Sequence, residues 1–82
     1  MVEAYGLISA AAGSARRIAA EARALRHVAA VDLVTGPYDV VVRAAAPCAA
    51  DLDAVWARLA AAEGVDRLLR CPVARPAVAF AS

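Results

Sequence analysis

The sequence predicts a two-layer α+β domain of the ferredoxin-like kind, a βαββαβ sandwich with both helices on one face of a four-stranded antiparallel sheet. Three observations lead there. Two stretches with apolar residues at helical spacing alternate with four short strand-like stretches, in the order β-α-β-β-α-β. The run V-T-G-P-Y-D-V-V-V from Val34 to Val42 forces the two middle strands into a hairpin. Finally, the strands are apolar on both parities, so a sheet covered by helices on one face still has a second face to bury.

The elements follow in order. Val2 to Ala10 sets Glu3 and Ser9 on one parity among Tyr, Leu, Ile and Val, and reads as a strand. Gly13-Ser14 breaks it, with Ser14 a helix N-cap candidate. Ala15, Ile18, Ala19, Ala22 and Leu25 then recur as one helical face, and that helix is expected to end near Arg26-His27. Val28 to Val34 makes the second strand. Gly36 can take φ > 0 and Pro37 holds φ near −65°, so the chain reverses there.

Tyr38 to Ala45 makes the third strand, closed by Pro47. Asp51 is the expected N-cap of a second helix whose apolar face is Leu52, Val55, Trp56, Leu59 and Ala60. Gly64 is the expected C′ residue that stops it. Val65 to Val73 gives the fourth strand, and Pro72 argues that its end lies at a sheet edge. The tail from Arg75 to Ser82 either adds an edge strand or stays loose. The division expected is one domain over residues 1–75 and a C-terminal tail over 76–82. Residues Ala22 to Val28 and Ala57 to Val65 both run from helix end into strand, a faint internal echo.

Composition narrows the function classes. The 82 residues are 63% hydrophobic, with mean hydropathy +0.61. No apolar run reaches the ~18 residues a membrane span needs, because charged residues interrupt every candidate. An acidic N-terminus and a short apolar stretch also argue against a signal peptide. A chain this short hides only ~60% of its unfolded surface, so the apolar excess is expected to meet another subunit. Net charge is +1, and nine Arg are balanced by eight acids. That balance argues against direct nucleic-acid binding. Cys48 and Cys71 form no C-x-x-C and read as two idle thiols. No cofactor or metal site is expected, since the spacings of His27, Cys48 and Cys71 are not those of a zinc site.

The motif T-G-P-Y-D between two strands, the wider pattern V-x-x-V-x-x-V-T-G-P-Y-D from Val28 to Asp39, and Gly64-Val65 before the last strand carry a family resemblance. The chain resembles the stand-alone effector-binding (RAM-type) domain of the Lrp/AsnC family of amino-acid-responsive transcriptional regulators. The resemblance implies the dimeric α+β barrel type of this fold and a free amino acid held where subunits meet. The site it implies comprises Thr35, Gly36, Pro37, Tyr38 and Asp39 of the turn, with Leu68 and Arg70 of the last strand.

Physical chemistry makes that turn a reasonable zwitterion site. Backbone N–H groups around Gly36 can face a carboxylate, and Asp39 can accept an ammonium group. A second reading stands beside it, in which Asp39 accepts a neighbouring backbone N–H and Tyr38 and Asp39 only stabilise the hairpin. Two departures from the family pattern matter. His27 stands where the family has Gly before the second strand, and a left-handed cap role is expected of it. The last strand reads V-D-R-L-L-R-C, so Leu68 and Arg70 replace the hydroxyls of a T-x-T pattern. The effector's identity, and whether one is bound, stay open.

The full regulators of this family carry an N-terminal helix-turn-helix domain, and nothing in these residues reads as one. The expectation is therefore a cytoplasmic homo-oligomer, dimers joining into an octamer- or decamer-like ring, that senses an amino acid or acts on transcription through a DNA-binding Lrp/AsnC relative. The alternatives are a purely structural oligomerisation module or a cofactor-free monooxygenase or isomerase of the same architecture. An enzyme would need a titratable pair in the cleft, and His27 and Asp39 show no such partner at useful spacing. No enzymatic activity is expected.

Overall fold

The computed structural model describes residues 1–74; the sequence expectations for the tail beyond them lie outside the described residues. The element order is β1 (Val2–Ala10), α1 (Ala15–Arg23), β2 (Val28–Leu33), β3 (Val40–Ala46), α2 (Ala49–Ala60) and β4 (Val65–Pro72). The four strands form one antiparallel sheet in the order β2-β3-β1-β4. This is the ferredoxin-like arrangement that the sequence predicts.

The sheet divides its residues by parity. Ala4, Gly6 and Ile8 of β1 and Val40, Val42, Ala44 and Ala46 of β3 are buried beneath the helices. Onto that face α1 packs Ile18, Ala19 and Ala22, and α2 packs Leu52, Val55, Trp56 and Leu59. Ala60, expected on the buried stripe of α2, is exposed at its last turn. Trp56 reaches the sheet because Gly6 has no side chain: a Cβ there would stand 2.6 Å from the ring.

Several local expectations shift. Asp51 does not cap α2; Cys48, with extended backbone, holds the N-cap position, and Asp51 lies within the first turn. There its charge still complements the positive helix end. Ser14 stands at the α1 N-cap but its side chain makes no capping hydrogen bond, having φ −98° and ψ −14° rather than extended backbone. Helix α1 stops at Arg23, not at Arg26-His27, and α2 is capped by Ala61 rather than stopped by Gly64.

His27 and Gly64 instead occupy equivalent places in two matching connections. His27 has φ 75° and Gly64 φ 91°. Each is the third residue of a four-residue turn, closed by Val28 N–H to Leu25 O at 3.4 Å and Val65 N–H to Ala62 O at 3.3 Å. A type II turn requires φ > 0 at this third position. The internal echo is therefore real at the level of backbone, and the left-handed role expected of His27 holds, displaced from the helix cap to the turn.

β4 is an edge strand, and Pro72 lies near its end. Antiparallel bonding alternates along a strand. Because Val73 N–H bonds Glu3 O at 2.9 Å, the nitrogen of Pro72 points away from β1 to the open edge, where no ladder bond is lost.

Candidate functional site

The β2–β3 turn is built by three hydrogen bonds. Val34 N–H donates to Asp39 O at 2.9 Å and closes the hairpin. Asp39 N–H donates to Ile8 O at 2.8 Å, which carries the turn across to β1. Ala10 N–H donates to the Asp39 carboxylate (Oδ2) at 2.7 Å, two residues past Ile8, where the β1–β3 pairing ends. The ladder between β1 and β3 ends at Ile8 and Val40, so Ala10 N–H, on the hairpin side of β1, has no backbone partner there and the Asp39 side chain supplies one.

Gly36 adopts φ 121° with open space where a Cβ would stand, and Thr35, Gly36 and Pro37 are exposed, whereas Tyr38 and Asp39 are half-buried. The turn thus offers an accessible stretch of backbone backed by a phenol and a fixed carboxylate. Replacing Asp39 by alanine would orphan Ala10 N–H and is expected to cost about 1–3 kcal/mol. The substitution Asp39→Asn, which keeps an acceptor oxygen, would retain most of that stability. Chemical denaturation of both variants checks this.

The two expected residues of the last strand lie elsewhere than the turn in this chain. Leu68 opposes Ile8 and packs against the core. Arg70 opposes Gly6, on the helix side of the sheet, and extends toward Asp53 of α2 at 3.4 Å. Asp53, Trp56, Val65, Leu68 and Arg70 line a cleft of about 370 Å³ between α2 and β4. Arg70 is thereby a cleft residue beside the tryptophan, separated from the turn by the width of β1. Nothing in the spacing of V-D-R-L-L-R-C signals this, although its parity with Leu68 does place the two side chains on one face.

Sequence reasoning also missed the polar pair on the other face of the sheet. Arg43 donates to Glu3 Oε1 at 2.6 Å across β3 and β1. The Glu3 hydrogen bond, and then its charge, hold this guanidinium above its ordinary pKa. Around it Tyr5 and Leu69 are 39% and 45% exposed, so the face opposite the helices is open and largely apolar. Among the described residues no group of three or more His, Cys, Asp or Glu stands ready to hold a metal ion. No helix among them is long and apolar enough to cross a membrane.

The family model of the Lrp/AsnC ligand binding domain matches residues 3–75. No curated protein matches the chain. Among solved structures, TTHA0845 from Thermus thermophilus is 30% identical, with a TM-score of 0.87 and coverage of 93% of this chain and 96% of that one. The Escherichia coli AsnC structure superposes with a TM-score of 0.83 at 15% identity, over 95% of this chain and 54% of that one. The regulator NMB0573 from Neisseria meningitidis, solved as a complex with L-Met, gives a TM-score of 0.78 at 22% identity, over 95% of this chain and 53% of that one. The last two likenesses speak for the fold alone, and the chain spans about half the length of those regulators. With the turn, the sheet order and the family match over most of its length in agreement, the chain belongs to the Lrp/AsnC ligand-binding domain family.

Proposed function

We propose that this chain is an effector-sensing regulatory domain that binds an amino acid, or a similar small zwitterion, at the Thr35–Asp39 turn. The observation that carries the reading is Asp39. One carboxylate oxygen is anchored by Ala10 N–H, which orients the group and leaves Oδ1 for a ligand ammonium. Exposed backbone around Gly36 supplies donors for the ligand carboxylate. The solved complex of a fold relative with L-Met supports the ligand class.

A complete site needs a second subunit. In its own chain Leu68 packs against the core and Arg70 pairs with Asp53 of α2, so in this reading their part in binding is supplied by a neighbouring copy. The open outer sheet face supplies a contact for dimerisation, and further association of dimers brings turn and last strand of different copies together. In this role the domain acts on transcription in the cytoplasm through a DNA-binding relative of the same family.

A thermal-shift screen against the twenty amino acids tests the reading, since a ligand of the native state raises the melting temperature. The expected result is a rise with one or a few of them, lost in Asp39→Asn and kept in His27→Ala. Silence across the panel would favour the oligomerisation-module reading, for which the bond from Ala10 to Asp39 is the specific support: there the carboxylate works for the hairpin alone.

A further inference from the structure

Apart from the Arg43–Glu3 pair, closed within the chain, the outer sheet face has an apolar middle and oppositely charged edges. Leu7, Val41 and Leu69 share one cross-strand row, and Tyr5 and Cys71 lie in the row beside it. Asp32, the register partner of Val41, stands on the β2 edge of this face. Arg67, the register partner of Ser9, stands on the β4 edge. Both are exposed, and among the described residues neither joins an ion pair, whereas Arg43 is held by Glu3 within the chain.

Two copies packed face to face by a two-fold axis between their sheets have two aligned choices. An axis across the strands lays each edge over its own copy, so Asp32 meets the partner's β2 and Arg67 the partner's β4, with neither charge answered. An axis along the strands lays the β2 edge over the partner's β4 edge. Asp32 then lies within reach of the long Arg67 side chain one row away, and the pairing occurs twice by symmetry. The same axis lays β3 over the partner's β1. Arg43, which shares a row with Tyr5, then faces the ring of Tyr5 of the partner subunit, a favourable cation–π contact with Glu3 alongside to balance the charge.

We propose that, when two copies meet through this face, Asp32 set against Arg67 of the partner subunit selects the axis along the strands and discriminates this partner from others. The inference rests on the sheet-to-sheet dimer of the preceding section. Exposed ion pairs add little affinity, but like charges brought together discriminate strongly between partners. The function of the pair is therefore choice of partner.

Charge exchange tests it on the whole chain by sedimentation. Asp32→Arg sets Arg against Arg twice, and Arg67→Asp sets Asp against Asp twice; each is expected to weaken the dimer roughly tenfold or more. The double variant Asp32→Arg/Arg67→Asp restores complementarity and is expected to recover most of the wild-type affinity. Mixing the two single variants is expected to give heterodimers in preference to either homodimer. A dimer indifferent to both single changes, with no heterodimer preference in the mixture, overturns the charge pairing while leaving the sheet dimer standing. A wild-type chain that stays monomeric at high micromolar concentration removes both.

Discussion

Replacing Trp56 with alanine is expected to lower the unfolding free energy by about 3–5 kcal/mol, a large share of the ~5–15 kcal/mol typical of a domain. The ring is 4% exposed and sits in the middle of the interface between α2 and the sheet. Its place depends on Gly6. A Cβ at that position would lie 2.6 Å from Cζ3, 3.1 Å from Cε3 and 3.2 Å from Cη2. A rigid bicyclic side chain enclosed by the core cannot rotate away, so Gly6→Ala alone is expected to cost about 1–3 kcal/mol through overpacking. In the Trp56→Ala background the added methyl meets a cavity rather than a ring. The two changes should then couple by about 0.5–3 kcal/mol, the double variant being more stable than the sum predicts. Urea denaturation of the four proteins at one fixed concentration measures this cycle. Strict additivity would mean that the ring is not held by the glycine.

Gly64→Ala is expected to destabilise the domain by about 1–3 kcal/mol from backbone strain alone, since its φ of 91° is a conformation that residues with a Cβ adopt at such a cost. A second effect adds to it. The new Cβ would stand 2.6 Å from Ser14 Oγ and 2.7 Å from Ser14 Cβ, where the start of α1 meets the turn before β4. This junction is tied by Ala11 N–H to Gly64 O at 2.7 Å and by Arg17, which donates to Glu63 O and pairs with Glu21 at 3.2 Å. Adding Ser14→Gly removes the two shortest contacts, leaving the strain and a 3.1 Å approach to Arg17 Nη2 at the end of a flexible side chain. The change itself costs little, because glycine at an N-cap is only a few tenths of a kcal/mol worse than serine. The double variant is therefore expected to recover part of the loss. Midpoints and slopes of denaturation curves decide it: no recovery would assign the entire cost to the backbone.

The two glycines differ in how far the sequence announces them. Gly64 lies between an apolar helical stripe and a strand, a place where a left-handed residue is expected, and His27 at the equivalent position of the first half carries the same backbone sign. Gly6 lies inside a strand whose neighbours give no hint of what approaches it. A strand glycine often marks such an approach, but the identity of the visitor depends on α2, fifty residues later in the chain.

Much of the candidate site has the same split. The turn itself was legible, because Gly36 and Pro37 impose a reversal and Tyr38-Asp39 must then stand at its mouth. The bond from Ala10 to Asp39 was not, since it joins residues 29 positions apart and exists because β1 runs on past its last β3 partner, Val40. Helix caps were misplaced for a related reason. Asp51 has the chemistry of an N-cap, yet β3 ends at Ala46 and the cap position falls three residues before Asp51, at Cys48.

Local rules suffice for the order and kind of the six elements, the hairpin, the left-handed residues before β2 and β4, and the presence of a second apolar sheet face. Periodicity settles which side a residue faces, and proline and glycine restrict φ, so all of this can be read along the chain. Which strand lies beside which cannot. That choice set Asp32 and Arg67 on opposite edges, Glu3 against Arg43, Arg70 beside Trp56 and away from the turn, and Trp56 on Gly6. Each is a contact across strands or layers, and contacts of that kind are settled by which packing of the whole chain buries the apolar faces, not by any residue's own preference.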